Sequence, residues 1–550
     1  MIHQLRCSVF AALGACVFST WAAQAQGLTQ RPVNTTCVAP DRPTVNLSLT
    51  PTEAATSATA SYKSGLASGV LYRGSVAPGL QGLYLYIDSA RNALVARAYV
   101  SDHQFADRDV MTPNVQLLGL HEDQNGELIA LTSAGPAALN REEGELPASF
   151  PLTLSASGCF DANDATQPTN GLIPYAPAAT LWSDNALKRR WIAMPDWLAS
   201  DTKITVLPNG DFDFPIGTVL IKEFALGTIR VETRLLVRHS DGEWAGYSYE
   251  WNDAGTDATL LAGFKIKDIA GQQWTYPARS QCIVCHSEVS NRALGPEIAQ
   301  LNHDYDYGAD GVANQLAVFD ALGLIDGGLS APPAQLDALP KYTDDAPVAA
   351  RARGYLYANC AMCHQEGGFG VGPEDFRYTL QGTEIGALDV DPTRGDMGVA
   401  GAKLLKRGVP EESVLWLRLN ATNFQRMPPL GVSIVDDAGL ALIGEWIRSG
   451  SGFGFADTDG DEFSDDLDNC SSYPNPDQRD TDGDGFGNAC DADLNNDGQI
   501  NVVDLGLMRA RFFSSDPDAD IDGNGVVNIA DLGRLREQFF GTPGPGAIEL

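Results

Sequence analysis

The sequence predicts a multidomain protein. Its N-terminal half is expected to be β-rich with antiparallel sheets, followed by an all-α domain and then by acidic loop repeats with a small α module. Three observations predict this fold class. A chain of 550 residues is too long for one hydrophobic core. Up to about residue 305, short apolar runs alternate with Gly, Pro and Asn turns, which is typical of strands. Beyond residue 456, aspartates recur at every second position.

Residues 1–25 are predicted to be a secretory signal peptide. Arg6 supplies the positive charge, residues 9–21 are apolar, and residues 23–25 form a small-residue cleavage site. A Leu-Gly-Ala-Cys box at residues 13–16 leaves lipidation as the alternative. We therefore expect a periplasmic, extracellular or cell-surface protein of a bacterium. No later apolar run is long enough for a membrane span, so no transmembrane span is expected.

The net charge of −34 is concentrated towards the C-terminal end. Residues 456–550 contain 22 acidic residues against five arginines and no lysine, which is half of the net charge. Such a density of carboxylates predicts bound cations. The sign of the charge and the lack of a basic stripe argue against a nucleic-acid partner.

The chain contains two Cys-x-x-Cys-His motifs. This motif is the attachment site of c-type haem, because the two thiols add to the porphyrin vinyl groups and the histidine ligates the iron. Two covalently bound haem c cofactors are therefore predicted. The alternative is a pair of disulfides that precede histidines by chance. The predicted attachment residues are Cys282, Cys285 and His286 for haem 1 and Cys360, Cys363 and His364 for haem 2.

Met427 is the predicted second iron ligand of haem 2. It lies 63 residues after His364 in a Met-Pro-Pro turn, whose prolines hold the thioether in place. A His/Met pair fills both axial positions and suits outer-sphere electron transfer. No Met-Pro pair follows His286 at such a spacing. The candidates for the distal side of haem 1 are His303, His239, Met194 and Lys222.

Residues 345–452 resemble class I cytochrome c. The features that carry the resemblance are a predicted helix before the second motif, with Gly354 and Tyr357 on one face, the Met427 turn, and an apolar helix over residues 436–448. The resemblance implies an all-α domain in which the two helices cross at a small residue. Asp436 and Asp437 suit the positive N-terminus of the second helix.

Residues 166–305 are predicted to form the β-rich haem 1 domain. Alternation around Tyr247, Tyr249 and Trp251 predicts an antiparallel sheet. The turn at residues 215–223, followed by a late Cys-x-x-Cys-His motif, resembles the β-sheet mono-haem cytochromes that include gas-binding and hydroxylamine-oxidising members. That resemblance implies a haem 1 with an open distal face. Residues 181–446 as a whole are similar to a family of uncharacterised bacterial di-haem c-type cytochromes, which implies haem binding and electron transfer.

Residues 26–165 are predicted to form a separate β-rich module. The segments 71–74, 78–84 and 118–128 resemble the last blade of sugar-dehydrogenase propellers that use pyrroloquinoline quinone, over residues 70–131. Because a propeller needs about four blades or more, neither the propeller nor its quinone site is expected here. Residues 306–344 are rich in Ala, Pro, Asp and Gly and are predicted to be a linker.

Residues 456–491 carry two runs of alternating aspartates and resemble thrombospondin type 3 repeats. Carboxylates on every second residue can turn inward around a hard cation, so this resemblance implies calcium binding. Without the metal the segment has almost no apolar core, and its order should depend on calcium. The predicted ligands are Asp457, Asp459 and Asp461 in the first run and Asp480, Asp482 and Asp484 in the second.

Residues 492–541 contain two EF-hand-like loops of twelve residues, each followed by a predicted helix, at 505–512 and 532–540. Residues 542–550 are a tail. The pair resembles a type I dockerin, which implies a cohesin-like partner; a calcium-stabilised terminal cap is the alternative. The predicted calcium ligands at positions 1, 3, 5, 7, 9 and 12 are Asp493, Asn495, Asp497, the Gln499 carbonyl, Asn501 and Asp504, then Asp520, Asp522, Asn524, the Val526 carbonyl, Asn528 and Asp531.

Four cysteines remain outside the signal peptide and the haem motifs. Proximity and domain grouping suggest disulfides between Cys37 and Cys159 and between Cys470 and Cys490, although four cysteines allow three connectivities. Disulfides suit an oxidising compartment.

The predicted function is an exported di-haem c-type cytochrome that transfers electrons to or from a redox partner protein and carries a calcium-dependent C-terminal docking or capping module. Two alternatives remain open. One is a haem oxidoreductase that acts on a peroxide or a small nitrogen compound at an open haem 1, with haem 2 as the electron relay. The other is a calcium-dependent adhesive or scaffold protein.

Overall fold

The structure is a computed structural model of the 550 residues. It describes residues 36–37, 39–41, 45–51, 69–71, 84–101, 104–122, 127–143, 146–195, 202–368, 370 and 372–546. The predicted signal peptide and residues 72–83 and 123–126 of the propeller-like segments lie outside this part. The chain divides into two compact units. Unit 1 comprises Met1–Lys341, Tyr357–Val371 and Pro428–Ile434, and unit 2 comprises Tyr342–Leu356, Gly372–Met427 and Val435–Leu550.

Unit 1 begins with two four-stranded antiparallel sheets. Buried leucines and alanines from both sheets, among them Leu85, Leu94, Leu120 and Leu128, form one shared core. The first sheet has the order β1 (Val45–Pro51), β8 (Gly135–Glu143), β7 (Leu128–Thr132), β6 (Leu117–Glu122), and the second has the order β2 (Gly69–Leu71), β3 (Tyr84–Asp88), β4 (Ala93–Ser101), β5 (Gln104–Met111).

A six-stranded antiparallel sheet forms the centre of unit 1. Its side chains alternate between two buried faces, as a period of two requires. One face carries Trp191, Ile221 and Tyr247 in a core that also takes in residues from 150 to 165. The other face carries Ile192 and Leu220. The sheet has the order β11 (Ile173–Pro174), β12 (Leu187–Ala193), β15 (Val219–Leu226), β16 (Ile229–Arg238), β17 (Trp244–Trp251), β18 (Ala258–Leu260).

Within the described part of unit 1 there are also four two-stranded pairs. They are β9 (Phe160–Asp161) with β10 (Asp164–Pro168), β13 (Thr205–Val206) with β14 (Phe212–Asp213), β19 (Lys265–Ile269) with β20 (Gln272–Tyr276), and β21 (Asp304–Asp306) with β22 (Val312–Asn314).

Short helices follow the sheet: α1 (Arg279–Cys285), α2 (Ile298–Leu301) and α3 (Gln315–Ala321). The helix α3 corrects the prediction of a linker over residues 306–344. Its Leu316 and Phe319, together with Leu324 and Ile325 after it, are buried in the same core as Ile192. Composition alone suggested a linker, but these apolar residues at helical spacing pack against the sheet.

The prediction of an all-α class I cytochrome domain over residues 345–452 is wrong. The described chain is β-rich, with helix only in short pieces. Here the helices are α4 (Val348–Leu356), α5 (Val414–Leu419) and α6 (Asp437–Ser449), separated by long irregular segments with parallel bridges such as Leu388 to Leu405. Residues 366–403 contain nine glycines, and glycine is costly in a helix. Parts of the region also belong to unit 1 rather than to a separate domain.

Two of the features behind that prediction are nevertheless present within unit 2. Helix α6 begins after Asp436, whose side chain accepts a hydrogen bond from the Gly439 backbone at 3.0 Å. A Cβ added at Gly439 would lie 2.4 Å from the ring of Tyr355, so the small residue lets α4 and α6 approach each other. The close approach therefore depends on Gly439, whereas the sequence pointed to Gly354.

The C-terminal part of unit 2 consists of acidic loops and the helices α7 (Val502–Arg511) and α8 (Ile529–Gln538). Both helices start three residues earlier than predicted, because Asn501 and Asn528 cap them. Among the residues that the structure describes, no helix is long and apolar enough to cross a membrane.

Candidate functional site

The two Cys-x-x-Cys-His motifs meet within unit 1. The thiols of Cys285 and Cys363, 78 residues apart in sequence, lie close enough to interact with each other. Cys282, Cys285 and Cys363 carry thiols rather than disulfides. The neighbouring Cys285 thiol and burial raise the pKa of the Cys363 thiol well above its ordinary value. The sequence predicts each motif but gives no sign that they lie side by side.

The first motif lies on helix α1, which packs against strand β17. A Cβ added at Gly246 of β17 would lie 2.6 Å from the sulfur and 2.7 Å from the Cβ of Cys282. Only a glycine at this position lets the helix reach the sheet. The sheet therefore fixes where the first cysteine of the motif stands.

His286 has the arrangement of a metal-ligating histidine. Its Nδ1 lies 2.5 Å from the carbonyl oxygen of Arg292, so Nδ1 donates and Nε2 keeps its lone pair. Two consecutive residues with positive φ, Asn291 (55°) and Arg292 (54°), turn the chain back to bring that carbonyl into place. Burial lowers the pKa of His286 to about 4, so the ring is neutral and can bind a metal.

The second motif begins in a π-helical turn, Tyr357–Ala361, that continues from α4. Such turns are rare and occur often at functional sites. After the motif, the N–H of Gly370 donates to the Cys363 carbonyl at 2.7 Å. A Cβ added at Gly370 would lie 2.5 Å from Nδ1 of His364. The loop therefore closes directly over the histidine ring.

The segment 181–186 holds the second motif in place. The backbone N–H of Trp182 donates to Oδ1 of Asn359 at 2.7 Å, and its indole N–H donates to the Ile434 carbonyl at 3.0 Å. Asp184, which is 1% exposed, accepts hydrogen bonds from the N–H and hydroxyl of Ser433 and from the N–H of Ile434. The segment thus ties residues 433–434 to the motif within unit 1.

Replacing Asp184 by Ala is expected to free residues 433 and 434. Two backbone N–H groups and a hydroxyl lose a buried carboxylate, which costs about 3 kcal/mol of local stability. Hydrogen exchange at the Ser433 and Ile434 amides should then be about 100-fold faster. Asp184→Asn is the matched control, because Asn tolerates the positive φ of 50° and keeps an acceptor. Unchanged exchange in Asp184→Ala would refute the role given to this carboxylate.

Three of the four candidates for the distal side of haem 1 are engaged elsewhere. His239 uses both ring nitrogens, with the Pro40 carbonyl at 2.8 Å and the Tyr247 hydroxyl at 3.0 Å. His303 also uses both, with the carbonyls of Asp304 and Ala176 at 2.9 Å. Met194 is buried in the core and accepts from the Thr218 hydroxyl at 3.9 Å.

Lys222 is the fourth candidate, and it lies near the first motif. It interacts electrostatically with Cys285 and His286.

Met427, the candidate for haem 2, is half-buried in unit 2, where its N–H donates to the Arg418 carbonyl at 3.1 Å.

The acidic C-terminal region forms four loops of one design, at residues 457–468, 480–491, 493–504 and 520–531. In each loop the sixth residue has a positive φ, and its N–H donates to Oδ2 of the first aspartate at 2.5–3.1 Å. Three of the sixth residues are glycines, which adopt this conformation freely, and the fourth is Glu462 with φ 78°. The shared turn folds the carboxylates inward.

The twelfth residue of every loop is a buried aspartate: Asp468, Asp491, Asp504 and Asp531 are 0–7% exposed. Asp504 and Asp531 were predicted as ligands, whereas Asp468 and Asp491 were missed. Their spacing of eleven from Asp457 and Asp480 is the signal that could have identified them, because the EF-hand-like loops have the same spacing. The thrombospondin-like and dockerin-like regions therefore use the same loop.

These residues fit a hard cation such as calcium. In three loops the carboxylate oxygens of three aspartates lie within 4.8 Å of one another. Oδ1 of Asp504 and Oδ2 of Asp468 are buried and accept no hydrogen bond from the described residues. Buried carboxylate oxygens without a donor are costly unless a cation compensates them. The three groups are Asp457, Asp459 and Asp461, then Asp480, Asp482 and Asp484, then Asp520, Asp522 and Asp531.

Calcium affinity is expected to rise with pH. Burial and neighbouring carboxylates raise the pKa of Asp491 to about 7 and that of Asp459 to about 6. Both values exceed those of an unfolded aspartate, so the metal-free fold binds extra protons and loses stability as pH rises from about 4 to about 7. Calcium must displace these protons. Calcium titrations at about pH 5 and about pH 8 should show tighter binding at the higher pH.

Asp491→Asn separates this effect from general acid unfolding. The variant cannot bind a proton at position 491, so its calcium affinity should change less between about pH 6 and about pH 8 than that of the wild type. Identical pH profiles in the two proteins would contradict the assignment.

In the last two loops, the residues that follow the helix of one half hydrogen-bond to the loop of the other half. Ile500 of the third loop hydrogen-bonds with Phe540 and Gly541, which follow α8. Val527 of the fourth loop hydrogen-bonds with Phe513 and Ser514, which follow α7. A small core shared by both halves, with Ile500, Val527, Met508 and Leu535 among its buried residues, lies beneath them.

Among the described residues there are two disulfides, Cys37–Cys159 and Cys470–Cys490, which are the pairs that proximity suggested. The first ties the segment around residue 37 to the core of the six-stranded sheet. The second joins the first two acidic loops, whose apolar content is small.

Comparison with protein-family models, with curated proteins and with solved structures finds no match for this chain. The assignment of function therefore depends on the residues and geometry described above.

Proposed function

We propose that the protein is an exported di-haem c-type cytochrome that transfers electrons, with a calcium-stabilised C-terminal region. The observation that carries this proposal is the meeting of two Cys-x-x-Cys-His motifs within unit 1, where the Cys285 and Cys363 thiols interact. Two attachment sites in contact suit a pair of groups that exchange electrons. The bound haems would supply reversible one-electron chemistry at iron.

The residues of each motif fit this role. Cys282 and Cys285 would hold the first haem, with His286 offering Nε2 to its iron. Cys360, Cys363 and His364 would hold the second. Met427 is proposed as the further ligand at the second haem on its Met-Pro-Pro sequence alone. The two disulfides suit the oxidising compartment in which covalent haem attachment is expected.

The C-terminal region is proposed to bind one calcium ion in each loop and to dock a cohesin-like partner. Equivalent apolar side chains of its two halves are exposed, which supports docking over a role as a terminal cap. These are Val502 and Ile529, at 71% and 72%, and Phe513 and Phe540, at 82% and 87%. The redox partner is proposed to be a protein with a basic surface, because the chain is strongly acidic.

The experiment that tests the proposal counts covalent haem in the intact protein, expressed with the c-type maturation machinery. Mass and pyridine haemochrome absorbance should give two haems in the wild type and one each in Cys282→Ala/Cys285→Ala and Cys360→Ala/Cys363→Ala. The matched control, Cys470→Ala/Cys490→Ala, removes a disulfide and should keep both haems. No haem in the wild type would refute the proposal.

The two single-haem variants also separate electron transfer from a second candidate function, a haem oxidoreductase. The engagement of His239, His303 and Met194 elsewhere favours an open face at the first haem. Carbon monoxide binding by the variant that keeps only the first motif would support a reaction centre.

In the variant that keeps only the second motif, Met427→Ala should remove the sulfur-to-iron absorption band. A band that persists would refute the assignment of Met427.

A further inference from the structure

A row of polar side chains crosses the face of the six-stranded sheet that carries the first motif. Arg190 pairs with Lys222, Lys222 with Arg234, and Arg234 with Ser248 across neighbouring strands. Gly246, which contacts Cys282, lies two residues from Ser248 on the same strand and therefore on the same face. The row thus lies beside helix α1 and its cysteines.

The charges in this row are not balanced. Arg234 is paired with Glu232, which is 0% exposed, through two hydrogen bonds of 2.8 Å. Arg190 is 7% exposed, and its guanidinium makes no hydrogen bond or ion pair with the described residues. Nζ of Lys222 lies 5.1 Å from the centroid of the Phe224 ring and has no carboxylate partner within the described part of the chain.

An uncompensated cation such as Arg190 is costly to bury, and the half-buried Lys222 and Arg234 beside it add repulsion. A structural role would supply a neighbouring carboxylate, as Glu232 does for Arg234. Guanidinium and ammonium groups on one face instead match the oxygens of a carboxylate or another oxyanion. Gly246 lies on the same face as the row and contacts Cys282, which places this anion site beside the first motif.

We propose that Arg190 and Lys222, supported by Arg234, bind an oxyanion beside the first motif. The ligand is either a propionate carboxylate of the haem attached there, in which case the inference rests on the proposed function, or a small free oxyanion. Ser248 completes the row as a neutral donor.

The test uses the full chain in the background that keeps only the first motif, Cys360→Ala/Cys363→Ala, with Arg190→Gln and Lys222→Gln as variants. Arg189→Gln is the matched control, because Arg189 is the next residue on the same strand and faces the opposite side of the sheet, where it pairs with Glu223. Two measurements are made: the propionate bending band in the resonance Raman spectrum, and the heat of binding of sulfate.

If a haem propionate occupies the site, the band shifts in both row variants and not in Arg189→Gln, and sulfate gives no saturable heat. If the ligand is a free oxyanion, sulfate binds the protein, and the affinity falls at least about tenfold in both row variants. Either result supports the proposal. A row variant that matches Arg189→Gln in both measurements overturns it.

A failure of haem attachment is recognised separately, because haem is counted in every sample. Should the chain carry none, the proposed function fails, while the sulfate titration still decides whether the row binds an oxyanion. Circular dichroism of each variant checks that the sheet is intact before either measurement.

Discussion

Removal of calcium is expected to unfold residues 456–541 while the sheets of unit 1 keep their fold. The four loops hold carboxylates in groups within 4.8 Å, and without a cation these charges repel one another. The shared core under the last two loops is too small to compensate, so folding and metal binding should be coupled. With chelator, limited proteolysis should cut throughout this region, and with calcium it should not.

Single loops can be tested within the same experiment. Asp504→Ala removes a buried carboxylate at the twelfth position and should lower the number of bound calcium ions from four to three. Asp477→Ala is the matched control, because Asp477 is exposed and lies between the second loop and the first. Resistance to protease in the presence of chelator, or an equal loss of calcium in both variants, would contradict the loop assignment.

The second large effect is expected from Gly246→Ala. The new Cβ would lie 2.6–2.7 Å from the sulfur and Cβ of Cys282, close to the helix backbone, where nothing flexible can move aside. Helix α1 should therefore be displaced from the sheet at a cost of about 3 kcal/mol. Attachment of the first haem should fall accordingly, while the second haem stays attached.

The control for this substitution is Gly263→Ala, because a Cβ at Gly263 meets nothing within 4 Å. Gly246→Ala should unfold at a lower temperature and carry less haem than Gly263→Ala. Equal haem content in Gly246→Ala and the wild type would show that the contact between α1 and β17 does not position the motif.

Local patterns in the sequence predicted much of this molecule. Alternation around Tyr247, Tyr249 and Trp251 predicted an antiparallel sheet, and the spacing of aspartates predicted the acidic loops. These features depend on neighbours in sequence. The prediction of an all-α domain was wrong because the helices near Cys360 and Trp446 are separated by glycine-rich residues that form irregular segments. The resemblance to cytochrome c had implied helix there.

The features that the sequence did not reveal depend on contacts between distant residues. Nothing near Cys285 indicates that Cys363 is its neighbour, and nothing near Asp184 indicates Ser433. The row of Arg190 and Lys222 becomes visible only when the strand register is known. Side-chain type is local information, whereas the pairing of strands is not.

Each of the last two loops is completed by hydrogen bonds from residues that follow the helix of the other half. Gly541, near the end of the described chain, completes the third loop, and Ser514, midway between the halves, completes the fourth. A protease that trimmed only the residues after α8 would therefore disable a loop some forty positions upstream. The two halves are therefore not independent, because the loop of each half is completed by the residues that follow the helix of the other half.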